Sequence, residues 1–259
     1  MSAIDLARMD DIISPLTMTC QKMKAIRPRF QRCLAAIFFS LAVASAPLHA
    51  QTNNYLPDGK PDAIALLAPP PLSGSPEQAA DMAEVVAVRR ACTAGEQAAA
   101  YSEKKFDIFN FTPAIGDFFQ PGKFPTTGDF FHHVQKEAEA VTDDAKDFYK
   151  RPRPYVVDPS LANGKLEKSF SYPSGHSTES MVLALVLADL FPDKRDAIIA
   201  EARTIGWHRV EIARHYPTDI YAGRVLAQAI VREMKKNPDF QKDFAGAKAE
   251  IAAAQAVKN

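Results

Sequence analysis

Only three cysteines and one tryptophan occur in the 259 residues. Two of the cysteines, Cys20 and Cys33, lie ahead of residue 50 and Cys92 stands alone after it, so a chain cut near residue 50 could form no internal disulfide and would hold by packing alone. Net charge is also missing: 31 basic residues balance 31 acidic ones, which gives no support for a nucleic-acid partner. Beyond residue 50 no stretch is long and apolar enough to be a transmembrane helix. There is no glycine-rich nucleotide loop, no internal repeat and no convincing strand ladder. The adjacent His132 and His133 point to different faces of a helix and lack a third ligand, so they read as structural rather than as a metal site. What is present is 47% hydrophobic and 24% charged, enough apolar material for one large domain or two small ones.

The N-terminus reads as a leader. Lys22, Lys24, Arg27, Arg29 and Arg32 form a basic region, Leu34 to Ala46 an apolar one, and Pro47-Leu48-His49-Ala50 a cleavage site, against the alternatives of a membrane anchor or a buried helix. Translation starting at Met18 or Met23 instead of Met1 stays open. Cleavage after Ala50 would remove six basic and three acidic residues and leave a net charge near −3. The product is expected to be soluble, in the periplasm or outside the cell, without membrane insertion; its oligomeric state, homo-oligomer or monomer, is left open.

After the leader, residues 51–74 carry Pro69-Pro70-Pro71 and are expected to be extended, with Ile64, Leu66 and Leu67 lying along the folded body. From Ser75-Pro76-Glu77 the pattern becomes helical and stays so in segments through residue 259. The first helix runs towards Ala100 with a break at Gly95. Others start at Thr126-Thr127-Gly128-Asp129 and end near Tyr149, or span Ser177 to Phe191, Asp196 to Arg214, Asp219 to Lys236 and Asp239 to Val257. Eight of the sixteen phenylalanines fall between Phe106 and Phe131, where they read as core filling in preference to a substrate lining. The fold class expected is all-α, a compact single-domain helical bundle.

Three clusters carry the chemistry. In the first, Lys146 sits in the last helical turn and Arg153 just beyond Pro152, so both cations can turn towards one point, although basic residues at a helix end are commonly a solvated cap. In the second, Tyr172-Pro173-Ser174-Gly175-His176-Ser177, small residues and hydroxyls open a helix whose free amides suit an anion. The bland alternative is a serine-capped helix start with a surface histidine. In the third, Arg209 precedes His215 by six residues and His215 precedes Asp219 by four, with Pro217 between. Pro217 ends one helix and starts the next, which brings the Asp219 carboxylate to one imidazole nitrogen and leaves the other as a nucleophile. Alternatively Asp219 is only an N-cap. Together the clusters supply what phosphoryl transfer needs: cations for the oxygens, an in-line nucleophile and a proton for the leaving group.

The order K-x6-R-P (Lys146 to Pro154), P-S-G-H (Pro173 to His176) and R-x5-H-x3-D (Arg209 to Asp219) resembles the three-part signature of the type 2 phosphatidic acid phosphatase superfamily, which also includes vanadium haloperoxidases. Within it the chain is similar to the secreted bacterial class A non-specific acid phosphatases, from about Leu66-Leu67 to the C-terminal helix. The resemblance implies a compact helical fold and a broad phosphate-monoester hydrolase. It implies a phosphohistidine on His215, general acid catalysis by His176, support of His215 by Asp219, and phosphate ligation by Lys146, Arg153, Ser174, Gly175 and Arg209. No metal or other cofactor is implied, and small phosphomonoesters are the expected partners. Alternatives on the same site are a vanadium-dependent haloperoxidase and a pyrophosphate or lipid-phosphate phosphatase; a phosphate-binding protein without turnover is the alternative of another class. In one departure, His208 stands where the family usually has serine, either replacing its hydrogen bond or adding a titrating charge. In another, Tyr216-Pro217-Thr218 replaces a tryptophan-containing version. Protonation of an ordinary histidine near about 6.5 would favour acidic to neutral pH.

Overall fold

The computed structural model describes residues 54–58 and 60–256, so the expected leader, its cleavage site, Cys20 and Cys33 lie outside the described residues. Among the described residues all regular structure is helical: α1 (Ala63–Leu66), α2 (Pro76–Ala91), α3 (Ala94–Ser102), α4 (Thr112–Ile115), α5 (Pro125–Tyr149), α6 (Pro154–Val157), α7 (Gly175–Leu190), α8 (Arg195–Glu211), α9 (Pro217–Met234) and α10 (Pro238–Ala256), with three short 3-10 turns. The fold is all-α, as the sequence indicates.

At the centre is α7, with 11 of its 16 residues buried. Met181, Val182, Leu183, Val186 and Leu187 point in several directions around it, so α5, α8 and α9 pack on different sides and no polar face is left for water. Each of these side chains contributes about 1.5–3 kcal/mol by leaving water. The stripe on α5 is narrower: Phe130, Phe131, Val134, Ala138 and Ala145 recur at helical spacing and face α7 and α10. At its end Lys150 adopts the left-handed conformation (φ 50°) and its amide closes on the Lys146 carbonyl at 2.9 Å, after which Pro152 and Pro154 exclude further helix.

The phenylalanine-rich segment is core, as expected. Phe111, Phe119, Phe124 and Phe131 are almost fully buried, and the Phe119 ring centroid lies 5.2 Å from Phe124 and 5.7 Å from Phe191. A second, smaller core of Val85, Tyr155, Leu161, Val210, Ala213, Tyr216 and Ile220 joins α2 to the α8–α9 junction. His133 is structural, stacked on Tyr55 at 4.3 Å and 2.8 Å from Glu137.

Several boundaries differ from expectation, among them the end of α8, which falls at Glu211 rather than Arg214. The break after α2 falls at Cys92-Thr93 rather than Gly95, because Thr93 and Glu96 form a reciprocal capping box that starts α3 there. The proline-rich stretch is not wholly extended: Asp62 accepts the amides of Ile64 and Ala65 and starts the single turn of α1, which buries Ala63 while Leu67 is buried just beyond it and Ile64 and Leu66 stay exposed.

Candidate active site

The first turn of α7 is fastened to the start of α9. Ser174 is its N-cap, its hydroxyl 3.4 Å from the Ser177 amide, and the Ser174 amide donates to the Asp219 carbonyl at 3.1 Å. The Ser177 hydroxyl donates to the Ile220 carbonyl at 2.8 Å. Gly223 makes this approach feasible, since a Cβ there would lie 2.9 Å from the Ser174 carbonyl oxygen and 3.0 Å from the Thr178 amide nitrogen. The second and third clusters, about forty residues apart in sequence, thereby share one locus.

Between α8 and α9 the chain turns as the spacing predicts. The amides of Arg214 and His215 both close on the Arg209 carbonyl, at 2.8 and 3.1 Å, with Ala213 in the left-handed region (φ 51°). Pro217 opens α9 and Asp219 lies in its first turn. His215 Nδ1 is 3.2 Å from Asp219 Oδ2, and its Nε2 is 3.1 Å from Arg153 Nη1. A guanidinium donates only, so Nε2 carries the lone pair and Nδ1 the proton. This is the tautomer a nucleophilic imidazole needs.

Asp219 is itself held from several sides. Its Oδ2 accepts from the Ser171 hydroxyl at 2.6 Å and the Tyr216 amide at 3.0 Å, while Oδ1 accepts from Arg151 Nη1 at 2.6 Å. Arg151 in turn reaches Asp81 Oδ2 on α2 at 2.7 Å, lies 3.9 Å above the Tyr216 ring centroid and donates to Thr218, whose hydroxyl also bonds Asp81. A buried Asp81–Arg151–Asp219–His215 chain results. Arg151, Asp81 and Ser171 are the members of this network that the sequence motifs do not mark.

The remaining candidate residues converge here. Arg153 and Arg209, both buried, approach one carboxylate: Arg153 Nη1 lies 2.5 Å from Glu167 Oε2, and Arg209 Nη2 2.5 Å from Glu167 Oε1. Lys146 Nζ pairs with Asp143 at 2.8 Å and sits 3.3 Å from where a Cβ on Gly175 would be, so any side chain at Gly175 would crowd it. His176 donates from Nε2 to the Glu103 carbonyl at 3.2 Å and packs against the Phe106 ring at 5.3 Å between centroids. His208 does not enter this group. Its Nδ1 pairs with Glu103 Oε2 at 2.7 Å, so it adds a titrating charge to the segment that supports His176.

Electrostatics follow from burial among cations. His215 is held well below the ordinary histidine value by burial and then by Arg153. His176 is pushed down to about 3, by burial first and then by the Arg209 charge, so in the ligand-free site the ordinary value near about 6.5 does not apply to it. Burial raises Asp219, against the opposing pull of Arg151. Glu179, one turn along α7 and hydrogen-bonded to Gln135 at 2.9 Å, is raised by burial to about 7. His208 is raised, chiefly by its bond to Glu103.

Comparison with known proteins gives the family. The sequence model of the PAP2 superfamily matches residues 137–241, a span containing all three clusters. A non-specific acid phosphatase of Providencia stuartii is 32% identical over 201 residues, which cover 74% of this chain and 81% of that protein. The chain belongs to the PAP2 superfamily, with the class A non-specific acid phosphatases. An acid phosphatase of Zymomonas mobilis is 28% identical over 203 residues, covering 75% of this chain and 77% of the relative. Among solved structures, a transmembrane PAP2 type phosphatidylglycerolphosphate phosphatase from Bacillus subtilis is 20% identical with a TM-score of 0.47, covering 67% of this chain and 89% of that one. Among the described residues of this phosphatase no helix is long and apolar enough to cross a membrane.

Proposed function

We propose that this phosphatase hydrolyses phosphate monoesters in two displacements, with His215 as nucleophile and His176 as general acid and then base. The observation that carries the reading is the state of His215: Nδ1 faces Asp219 at 3.2 Å while Nε2 keeps its lone pair, directed at Arg153. In the first step Nε2 forms a bond to phosphorus as the ester P–O bond breaks, and the leaving oxygen takes through His176 the proton that the monoanionic ester brings into the site. Because Nε2 of His176 is engaged by the Glu103 carbonyl, its Nδ1 is the nitrogen free to exchange that proton. The imidazolium formed on His215 is stabilised by Asp219, whose own charge is held by Arg151. In the second step water, deprotonated by His176, attacks phosphorus and releases His215.

Lys146, Arg153 and Arg209, with the amides of the first turn of α7 around Ser174 and Gly175, stabilise the phosphoryl oxygens. Three fixed cations fill the electrostatic role a divalent metal has elsewhere and repel such a metal, so the reaction is metal-independent. The basic and apolar pattern ahead of residue 50 directs the protein to the periplasm or the medium. The test is turnover of a panel of phosphomonoesters, diesters and pyrophosphates with and without chelator. Monoester hydrolysis that survives the chelator supports the reading; complete loss with the chelator, restored by a divalent metal, contradicts it.

A further inference from the structure

None of the three cations assigned to phosphate stands free. Lys146 is paired with Asp143, and Glu167 spans both Arg153 and Arg209, one carboxylate oxygen on each at 2.5 Å. Two oxygens of a phosphate would meet the two guanidiniums in the same way. The Glu167 side chain is 27% exposed whereas those of Arg153 and Arg209 are 3% and 2% exposed, so the carboxylate covers the cations from the solvent side.

The segment that delivers it, residues 162–170, has no helix of its own and is tied down by the site. Arg153 donates to the Ser169 carbonyl at 2.8 Å and to its hydroxyl at 3.0 Å, Tyr155 donates to the Glu167 carbonyl at 2.9 Å, and Arg214 reaches the Lys165 carbonyl at 3.2 Å. Arg209 Nε, also buried, has no hydrogen-bond partner among the described residues, so the cradle offers a donor that Glu167 leaves unused. Although burial pushes the Glu167 carboxyl up, the charges of Arg153, Arg209 and Arg214 outweigh it and hold the group below its ordinary range, so it is charged where histidine chemistry operates.

We propose that Glu167 is an affinity-determining residue of this site: its carboxylate occupies the phosphate position in the ligand-free enzyme, and a phosphate monoester binds by displacing it. The inference rests on the reading of Arg153 and Arg209 as phosphate ligands. Its consequence is a competition within the protein. Apparent affinity for the ester and for the phosphate product falls by the fraction of molecules in which the cradle is open, so a carboxylate seated nine-tenths of the time weakens both about ten-fold. Product is thereby expelled as well as substrate resisted.

The experiment measures KM for a chromogenic monoester, Ki for inorganic phosphate, and the phosphate Kd by calorimetry, all at one acidic pH, for the wild type, Glu167→Gln, Glu167→Asp and Lys168→Gln. For Glu167→Gln the three constants should fall together, by about ten-fold. Glu167→Asp should fall part-way, since the shorter carboxylate cannot span both arginines, and Lys168→Gln, a charge change on the same segment, should stay within about two-fold of wild type. Weaker phosphate binding by Glu167→Gln would make Glu167 an aligning clamp and overturn the proposal. So would a Glu167→Asp variant indistinguishable from wild type, because the effect would then be one of charge and not of position. A wild type that binds phosphate without turnover sinks the catalytic reading instead, and the calorimetric constants still decide whether Glu167 competes.

Discussion

Replacing Asp219 with asparagine probes the link between the buried ion-pair chain and His215, the proposed nucleophile. The carboxylate is fully buried and takes four donors, with Ser171, Tyr216 and His215 on Oδ2 and Arg151 on Oδ1. An asparagine can satisfy the three donors on Oδ2 only by turning its own amide towards Arg151, where donor meets donor at 2.6 Å. Breaking a buried pair costs about 3–5 kcal/mol, and the lower end applies because Arg151 keeps Asp81. For a body of this size about 3 kcal/mol corresponds to a fall in Tm of roughly 6–12 °C, within what a domain of ordinary stability survives. In the proposed mechanism the imidazolium on His215 also loses a charge-assisted partner worth about 1.5–3 kcal/mol, or roughly ten- to 150-fold in rate. Thermal unfolding by circular dichroism and steady-state hydrolysis of a monoester measure the two effects on one sample. A variant with Tm within about 2 °C and kcat/KM within about two-fold of wild type would refute the reasoning.

Gly223→Ala should destabilise by about 1–3 kcal/mol, because the added methyl meets backbone atoms of Ser174 and Thr178 that cannot swing aside, and the displaced first turn of α7 should raise the Ki for phosphate; an unchanged Tm would contradict this. With His176 pushed down to about 3, its neutral form prevails in the free enzyme above that pH, so the leaving-group proton enters with the monoanionic ester. The alkaline fall of kcat/KM should then follow the ester's own second ionisation, near about 6, and move with it between two esters of different acidity, whereas a limb fixed across esters would belong to the enzyme.

The candidate site was legible where its parts are side chains in short, ordered runs. His215, Pro217 and Asp219 encode their own geometry, since a proline between them forces one helix to stop and another to start, and Ser174 with Gly175 marks the opening of α7. Partners brought in from a distance were not legible. Asp81 lies on α2, seventy residues before the Arg151 it pairs with, and nothing in its neighbourhood of Met82 and Val85 distinguishes it from a surface acid. The His176 contact is a backbone carbonyl at Glu103, which any residue type would supply. Glu167 sits in a segment without periodicity or motif, and only the folded positions of Arg153 and Arg209 give it meaning. His208 could be noticed as a departure, but its pairing with Glu103 needed α3 and α8 to be side by side. The helix break at Thr93 was readable after all, in the Thr93-x-x-Glu96 capping signal that the nearby Gly95 overshadowed.

The central claim is that phosphorus is transferred to His215, and a rapid-quench experiment with a phosphorus-32-labelled monoester tests it most directly. Denatured protein should carry label that survives base and is lost in acid, as a phosphoramidate does, with the label absent from His215→Ala and retained by His176→Ala after slower formation. Hydrolysis by the wild type with no label trapped at any quench time, together with label-free turnover by His215→Ala, would contradict it.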